Sequence, residues 1–404
     1  MAALSPFRAL RPAPSAASRV AAVPYDVVNA DEAHALADGN PLSFLHVSRA
    51  EIDCPRDVDP HSDAVYGKAV ENFGRLKQEA PLVVEEAPSI YVYRLQMGDV
   101  LQTGIAACYS LDEYDHDVIK KHERTRPDKE DDRTRHLLAL RAQTGPVFLI
   151  HRTESAIDRV VDQVALQTPL YDFTAPDAVR HTVWRVDTTL QRSLIDAFSA
   201  LPTLYIADGH HRAASAARAR RHLRAGGANA GEWDTFLAVA FPESQVRILP
   251  YNRVVTDLGD RTPEAFLEAV RQRFTVRDGP AVPARGGDVS MFLNGKWQTI
   301  TLGQAGAGAP TDRLDVSRLQ DLILNPLLGI GDQRSSTRVD FVGGLRGTAE
   351  LERAVQSGRA AVAFSMHPVT VHDLMTIADD GGIMPPKSTW FEPKLRDGLL
   401  SHVI

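Results

Sequence analysis

The stretch Leu204-Tyr205-Ile206-Ala207-Asp208-Gly209-His210-His211-Arg212 decides the fold around which the chain is organised. Its first four residues form an apolar run typical of a buried strand, and the Ala- and Arg-rich segment 213–223 that follows favours a helix. The polar residues between them therefore stand at a helix N-terminus, where backbone N–H groups and the helix dipole favour a phosphate or a carboxylate. Gly209 lets the backbone approach a ligand closely, and Arg212 can hold two oxygens of an anion.

Asp208 is the residue of this stretch for which the sequence allows the most roles. It can hold a metal ion or position a hydroxyl group. It can also simply cap the helix while His210 and His211 fill a polar turn. A cap requires only the aspartate, so the five polar residues together favour an anion site. A zinc site is less well supported, because adjacent histidines point in different directions and the sequence has no Cys-x-x-Cys or His-Glu-x-x-His pattern.

Composition predicts a globular protein with a mixed α/β (α+β) fold. The chain has 404 residues, of which 44% are hydrophobic and 24% charged, enough to bury a large core in several domains. Strand and helix patterns alternate throughout, which predicts mixed sheets with flanking helices. We expect an N-terminal α/β domain at 1–115, a catalytic core at 116–255 and a C-terminal α/β domain at 256–404.

Charge and cysteine content narrow the classes of partner. A net charge of −7 counts against general binding to nucleic acid or to an anionic membrane surface. Cys54 and Cys108 are the only cysteines, too few for a disulfide framework, and a reducing cytoplasm fits this. The first twenty-five residues resemble a transit peptide in composition, but three prolines interrupt any amphipathic helix. We interpret this segment as an extended arm.

Local patterns predict several further elements. Helices are expected at 31–37, capped by Asn29 or Asp31, and at 62–79, 158–166, 187–200 and 262–274. Strands are expected at 147–150, 182–186, 233–241 and 246–253, and a hairpin at 89–110 turns at Met97-Gly98-Asp99.

A second cluster of polar residues begins with Lys120-Lys121-His122-Glu123. A helical pattern follows from Asp128, and four of its residues share one face at i, i+3, i+4 and i+7: Lys129, Asp132, Arg133 and His136. This face is equally typical of a solvated, salt-bridged helix surface. Glu123 differs because it lies in a loop beside cationic side chains. A carboxylate in that position can accept a proton from a hydroxyl group while the cations bind a charged co-substrate.

A third cluster lies near the C-terminus, in Ile383-Met384-Pro385-Pro386-Lys387-Ser388-Thr389-Trp390-Phe391-Glu392-Pro393-Lys394. The prolines stiffen the backbone, Lys387 supplies a charge, and Ser388 and Thr389 supply hydroxyl groups, a set that suits a phosphate or a small zwitterion. The alternative is a loop that covers the core with Trp390 and Phe391 packed beneath it. No Walker loop, Rossmann fingerprint, protein-kinase signature or nucleophile elbow occurs.

Together the three clusters resemble a known family. The order Lys-x-His-Glu, then Asp-Gly-His-His-Arg at a helix start, then Pro-Lys-Ser-Thr is similar to the free L-serine kinases of archaea, in the ParB and sulfiredoxin superfamily. The resemblance extends to 360–364, which resembles the strand before the last helix, and runs from about Ile119 to the end, with a long insertion between Glu123 and Asp208. The chain also resembles a large, mostly uncharacterised bacterial family with the same pentad and Met-Pro-Pro-Lys-Ser-Thr-Trp-Phe.

This resemblance implies phosphorylation of free L-serine to O-phosphoserine with ATP, ADP or pyrophosphate, and Mg²⁺ bridging the donor oxygens. Glu123 would be the general base, and Asp208 the second acid and metal ligand. The remaining implied residues are those for phosphate and nucleotide binding, namely Gly209, His210, His211, Arg212, Lys120, Lys121 and His122, and those for substrate binding, namely Lys387, Ser388 and Thr389. In the kinases Arg-His follows the Pro-Lys loop, whereas here Trp390 and Phe391 stand there.

Two other classes of function stay open from the sequence. One is a phosphohydrolase or nucleotidase in which Glu123 activates water. The other is a non-catalytic nucleotide-binding module, in which ligand binding would survive replacement of Glu123 by Gln. In each case the expected partners are small molecules, with neither nucleic acid nor membrane among them.

Overall fold

The computed structural model describes residues 2–227, 229–303, 305–306, 308–333 and 336–404. The chain forms two compact units: unit 1 comprises Met1–Val246 with Pro393–Ile404, and unit 2 comprises Arg247–Glu392. Several sheets with accompanying helices confirm the predicted mixed α/β fold. Among the helices of the described ranges, none has the length and apolar character needed to cross a bilayer.

The strands are numbered in chain order. They are β1 (Leu4–Ser5), β2 (Ala9–Arg11), β3 (Val83–Val84), β4 (Tyr91–Met97), β5 (Val100–Ser110), β6 (Ile119–Lys120), β7 (Ala142–Gln143), β8 (Val147–His151), β9 (Tyr171–Thr174), β10 (Arg180–Arg185), β11 (Leu204–Asp208), β12 (Thr235–Pro242), β13 (Arg247–Leu249), β14 (Tyr251–Val255), β15 (Thr275–Asp278), β16 (Asp288–Leu293), β17 (Lys296–Thr301), β18 (Val339–Gly343), β19 (Val362–Ser365), β20 (Trp390–Glu392) and β21 (Ser401–Val403).

The α-helices follow the same convention. They are α1 (Ala17–Val20), α2 (Ala30–Ala37), α3 (Leu45–Ser48), α4 (Asp63–Glu79), α5 (Leu111–Asp115), α6 (Pro127–Leu140), α7 (Ser155–Ala165), α8 (Thr188–Ser199), α9 (His210–Ala225), α10 (Pro263–Arg271), α11 (Asp315–Leu319), α12 (Asn325–Leu328), α13 (Gly347–Gln356) and α14 (Val371–Asp379).

Unit 1 is built on a nine-stranded mixed sheet. Eight strands run in the order β6-β11-β8-β12-β5-β4-β10-β9, and β1 pairs with β5. The pairs β11–β6 and β12–β8 are parallel, and the other pairs are antiparallel. Every residue of β8 is buried, as is every residue of β12 after Thr235, so this centre of the sheet lies in the core. A four-stranded sheet, β3-β2-β21-β7, completes the unit.

The division of the chain into two units differs from the three domains predicted at 1–115, 116–255 and 256–404. β5 lies in the segment 1–115 and pairs along its length with β12, so that segment shares its sheet with the predicted catalytic core. The N-terminal residues are also more ordered than an extended arm, because they contain β1, β2 and α1, and Val20 of α1 is fully buried.

Unit 2 contains a six-stranded antiparallel sheet in the order β15-β17-β16-β19-β14-β18. Helix α13 contributes Leu351 and Ala354 to a core shared with Val254 and Phe292. β13 and β20 form a separate two-stranded sheet. The predicted strand at 246–253 is therefore broken at Pro250, and its two halves pair with different strands.

Most other local predictions are confirmed. Helix α2 begins after Asn29, whose side chain accepts a hydrogen bond from the Glu32 backbone in a reciprocal capping box. Helix α4 matches the predicted 62–79, and the β4–β5 hairpin turns at Gly98, where φ is 59°. β19 precedes the last helix, as the resemblance implied.

Candidate functional site

The β11–α9 junction has the strand, glycine and helix geometry that the sequence predicts. β11 ends at Asp208, Gly209 is the N-cap with φ of 92°, and α9 begins at His210. A side chain is strained at that φ, and a β-carbon at Gly209 would also lie 3.4 Å from Val147 Cα. The first N–H groups of α9 therefore project from a backbone turn that glycine makes possible.

Asp208 is held by an ion pair, and it does not cap the helix. Its Oδ1 accepts a hydrogen bond from Gly209 N at 2.9 Å, and its Oδ2 lies 2.9 Å from Lys394 Nζ. Burial would raise the pKa of Asp208, but the positive charges of Lys394 and Arg212 outweigh it and hold the pKa below its ordinary value. Asp208 is therefore a carboxylate, and Lys394 places an ammonium group at the junction.

Asp208 as placed suits an ammonium partner better than a metal ion. Each of its oxygens already accepts a hydrogen bond, and a metal would have to displace Lys394 from Oδ2. Across the described ranges, no group of three or more His, Cys, Asp or Glu side chains has the arrangement of a metal site. The Lys394 ammonium therefore lies where a magnesium ion bound to Oδ2 of Asp208 would have to be, and the magnesium role of Asp208 stays a prediction.

Glu123 and His210, far apart in sequence, are neighbours in the structure. Glu123 Oε2 lies 3.8 Å from His210 Nδ1, and the Glu123 side chain is 42% exposed whereas that of His210 is 4% exposed. His122 donates its backbone N–H to His210 Nε2 at 3.5 Å. Because Nε2 accepts that hydrogen bond, the proton of a neutral ring belongs on Nδ1, which faces Glu123.

Burial keeps both neighbouring imidazoles neutral. Burial lowers the pKa of His122 to about 4 and that of His210 well below its ordinary value. At His210 a second cause is repulsion between the two rings when both are protonated. The two rings meet edge to face, with centroids 4.5 Å apart. His122 and His210 thus form a buried, neutral pair of rings beside Glu123, and they do not themselves supply positive charge at neutral pH.

The other predicted phosphate-binding residues have mixed placements. His211 lies at the start of α9, where its Nε2 accepts a hydrogen bond from Arg126 N at 3.1 Å. Lys120 is opposite Tyr205 in the parallel β6–β11 pair, beside the junction strand. Lys121 contacts the end of α5. Its Nζ lies 2.7 Å from Asp117 Oδ1 and donates to the Tyr114 carbonyl at 2.7 Å.

Arg212 is directed to partners within unit 1. Its Nη1 donates to the Pro146 carbonyl at 2.5 Å, and its Nη2 lies 3.5 Å from Asp26 Oδ1. Burial would lower its pKa, but the carboxylates of Asp26, Asp397 and Asp208 raise it. Arg212 therefore stays charged, and two of its three nitrogens are already used by the protein.

The face of α6 that was open to two interpretations is mostly buried. Asp132 accepts a hydrogen bond from Tyr66 Oη at 2.8 Å and from Arg133 Nε at 2.8 Å, and His136 Nε2 contacts the Val47 carbonyl at 2.9 Å. Burial opposes ionisation of Asp132, but the Arg133 charge lowers its pKa to about 2. The solvated-surface interpretation is therefore wrong for these residues, which anchor α6 to the N-terminal helices.

The third predicted cluster lies in unit 2, apart from its last two residues. Lys387 has a φ of 55° and an exposed side chain, with its Nζ 5.6 Å from the centre of the Tyr251 ring. Ser388 is buried and donates to the Pro385 carbonyl at 2.7 Å, and Thr389 is half-buried. Trp390 packs edge to face on Tyr251 at 5.3 Å. The aromatic residues thus fix this loop to its own unit, as the packing alternative expected.

Sequence reasoning missed Lys394, Asp26 and Asp397 as members of the polar network around the junction. Lys394 is 186 residues from Asp208, and Asp26 is 186 residues from Arg212. Lys394 was the last residue of the third predicted cluster but had no role assigned to it, and Asp26 and Asp397 belong to no motif with a recognised spacing. Asp26 directly follows the segment interpreted as an arm.

Comparison with known families assigns the chain to a family without an established activity. The model of the family described as protein of unknown function DUF1015 matches residues 4–317, so the chain belongs to that family. A comparison with curated proteins finds no match.

Solved structures include distant likenesses. A mutant free serine kinase in complex with AMP is 14% identical, with a TM-score of 0.38, and the match covers 73% of this chain and 92% of that one. SbnI with a C-terminal truncation, from Staphylococcus aureus, is 11% identical with a TM-score of 0.38, covering 72% and 85%. A conserved hypothetical protein from Pyrococcus furiosus is 14% identical with a TM-score of 0.35, covering 73% and 94%. Likenesses this distant do not establish an activity.

Proposed function

We propose that this chain is a phosphotransferase that phosphorylates the hydroxyl group of free L-serine, with ATP, ADP or pyrophosphate as donor. The observation that carries the proposal is the placement of the Glu123 carboxylate 3.8 Å from His210 Nδ1, at the N-terminus of α9. A proton acceptor and a helix start that favours phosphate thus occupy neighbouring positions, which phosphoryl transfer to an alcohol requires.

In this proposal Glu123 is the general base. The serine oxygen attacks the terminal phosphorus of the donor, the bond from that phosphorus to the leaving phosphate oxygen breaks, and Glu123 takes the hydroxyl proton. The side chain of Glu123 is accessible to a substrate, since it is 42% exposed. The neutral His210 ring, with Nδ1 at 3.8 Å from the Glu123 carboxylate, places no full positive charge beside the base.

The N-terminus of α9 and the Lys394 ammonium stabilise the negative charge on the transferred phosphoryl group. The N–H groups at the beginning of α9 and the helix dipole stabilise anionic oxygens, and the turn at Gly209 leaves space for them. Asp208 holds the Lys394 ammonium at 2.9 Å and so acts as a positioning residue for it. The metal role first predicted for Asp208 is the alternative to this assignment.

The choice of serine as acceptor is supported by the resemblance of the three motifs to the free L-serine kinases. The roles of Lys387, Ser388 and Thr389 in substrate binding, and of Lys120, Lys121, His122, His211 and Arg212 in donor binding, stay predictions. Lys387→Ala tests the first group and Lys120→Ala the second, by the KM for serine and for the donor respectively.

Phosphorus NMR tests the proposal and identifies the donor. The whole protein is incubated with L-serine and the magnesium complex of ATP, ADP or pyrophosphate in separate reactions. An O-phosphoserine signal with one of these donors, absent in Asp208→Asn and Glu123→Gln, is the expected result. Phosphate release at the same rate without serine would instead indicate a hydrolase, and donor binding without turnover would indicate a binding module.

A further inference from the structure

A pocket with a cavity volume of about 50 Å³ lies within unit 1 on the Arg212 side of α9, separate from the Glu123 cluster. Part of its wall is apolar, from Leu137 of α6 and from Phe236 and Leu237 of β12. Neither Glu123 nor His210 is among its lining residues. One buried water molecule needs roughly 10–15 Å³, so the pocket has room for several atoms of a small ligand.

Three charged residues line this pocket, Arg133, Arg212 and Asp397, and two of them, of opposite charge, each have an atom without a hydrogen-bond partner among the described residues. They are Asp397, at 3% exposure, through its Oδ1, and Arg212, through its Nε. The other two nitrogens of Arg212 already contact Pro146 and Asp26. Leaving a buried polar atom without a partner is unfavourable, so such atoms are uncommon in native proteins and call for an explanation.

The backbone opposite Asp397 leaves space for its carboxylate. A β-carbon at Gly145 would overlap Asp397 Oδ1, so glycine at this position allows the carboxylate to lie against the chain. The Asp397 and Arg212 side chains are near enough for the Arg212 charge to lower the pKa of Asp397 against the larger opposing effect of burial. The unpartnered acceptor and the unpartnered donor thus lie in one pocket.

We propose that this pocket binds a free α-amino acid. Its carboxylate accepts a hydrogen bond from Arg212 Nε, its ammonium group donates to Asp397 Oδ1, and its side chain contacts the apolar wall. A ligand with only one of these groups leaves the other protein atom unpartnered. A phosphate is a poor alternative, because it places an anion beside Asp397. The inference does not depend on the proposed phosphotransferase reaction.

Titration calorimetry on the whole protein without nucleotide tests this site. The probes are the twenty common L-amino acids, with ethanolamine and 3-hydroxypropionate as serine analogues that lack the carboxylate or the ammonium group; a different best ligand is matched with its own amine and acid. We expect at least one amino acid to bind with one-to-one stoichiometry, at least tenfold tighter than either analogue. Absence of binding by all twenty, or equal binding of an analogue, would overturn the proposal.

Two variants test whether the amino acid binds in this pocket. Asp397→Asn should weaken amino-acid binding at least tenfold, whereas Asp196→Asn, at an exposed carboxylate of unit 1 outside the pocket, should leave it unchanged. Equal affinity in Asp397→Asn and the unmodified protein would refute the pocket assignment. Hydrogen exchange on the unmodified protein covers the case in which Asp397→Asn fails to fold: the bound amino acid should slow exchange at 142–147 and 395–399, and unchanged exchange there would also refute it.

Discussion

The β11–α9 junction of unit 1 and the Pro385–Thr389 loop of unit 2 were predicted with similar reasoning, yet they are built differently. At the junction, Asp208 has a defined ion-pair partner in Lys394, and Glu123 and Arg212 lie against His210 and Asp26. In the loop, Lys387 is exposed and Ser388 bonds only within the loop among described contacts. Charged side chains with polar or charged neighbours at fixed positions are thus a feature of the junction.

The largest expected difference between the two units is in their response to acid. Unit 1 contains six histidines whose pKa burial lowers, namely His122, His136, His151, His181, His210 and His402. The pKa values of His122 and His136 fall to about 4. Unit 2 contains only His367 and His372, neither of them buried.

The sign of this effect follows from proton binding. A buried imidazole stays neutral in the folded chain down to about pH 4, whereas the unfolded chain takes up the proton near pH 6.5. The free energy of unfolding of unit 1 should therefore decrease between pH 6.5 and 4, by roughly 3 kcal/mol for each of His122 and His136. Asp397, whose pKa burial raises to about 7, partly offsets this. Hydrogen exchange at β8 and β12 should accelerate far more than at β16 and β19; equal acceleration would contradict the account.

Removal of the two lysines gives the next largest contrast. Lys394→Met leaves the Asp208 carboxylate without its ion-pair partner. We expect the free energy of unfolding to fall by about 2–3 kcal/mol, which is at or below the lower end of what breaking a buried ion pair costs. Lys387→Met is the matched control and should change the unfolding free energy very little, because Lys387 is exposed. Thermal unfolding of both variants measures this, and equal destabilisation would show that the two lysines have equivalent surroundings.

Replacing the glycine at the β11–α9 junction should both strain the backbone and weaken binding of the phosphoryl donor. Gly209→Ala places a side chain at a φ of 92°, with an expected cost of roughly 1–2 kcal/mol. Gly98→Ala, at a φ of 59° in the β4–β5 turn, is the control for strain alone. Both variants should lose similar stability, but only Gly209→Ala should also weaken binding of the phosphoryl donor. Unchanged donor affinity in Gly209→Ala would remove the junction from the binding site.

The smallest effect is expected from the opposite substitution in the loop. Lys387 is a non-glycine residue at a φ of 55°, so Lys387→Gly relieves strain, with a net gain below about 1 kcal/mol after the entropy cost of glycine. Exchange rates in β14 and β18 should stay the same or decrease slightly. A clear increase there would mean that the Lys387 side chain stabilises unit 2.

Local sequence predicted the parts of the fold that depend on local rules. The capping box at Asn29, the turn at Gly98 and the start of α9 at Gly209 each follow from residues within a few positions of each other. The sheet of unit 1 could not be derived in this way, because β5 pairs with β12 from more than a hundred residues away. For the same reason the predicted boundary near residue 115 crosses a continuous sheet.

The same distinction between local and long-range interactions applies to the candidate site. Glu123, Asp208 and His210 were predicted from their motifs, and all three lie at or beside the start of α9. Lys394, Asp26 and Asp397 were not identified, because each is a single charged residue whose meaning comes from a distant partner. Burial of the α6 face also depends on long-range packing, here with the Tyr66 and Val47 segments.

The central claim is that Glu123 acts on the acceptor hydroxyl at a helix start that binds the donor. The most direct measurement compares donor affinity and the O-phosphoserine rate for Glu123→Gln and the unmodified protein, with the donor found by phosphorus NMR. Loss of a general base should reduce the rate by about 10²–10⁴ while the donor Kd stays within about twofold. An unchanged rate, or a rate loss fully explained by weaker donor binding, would contradict the role of Glu123 as the base.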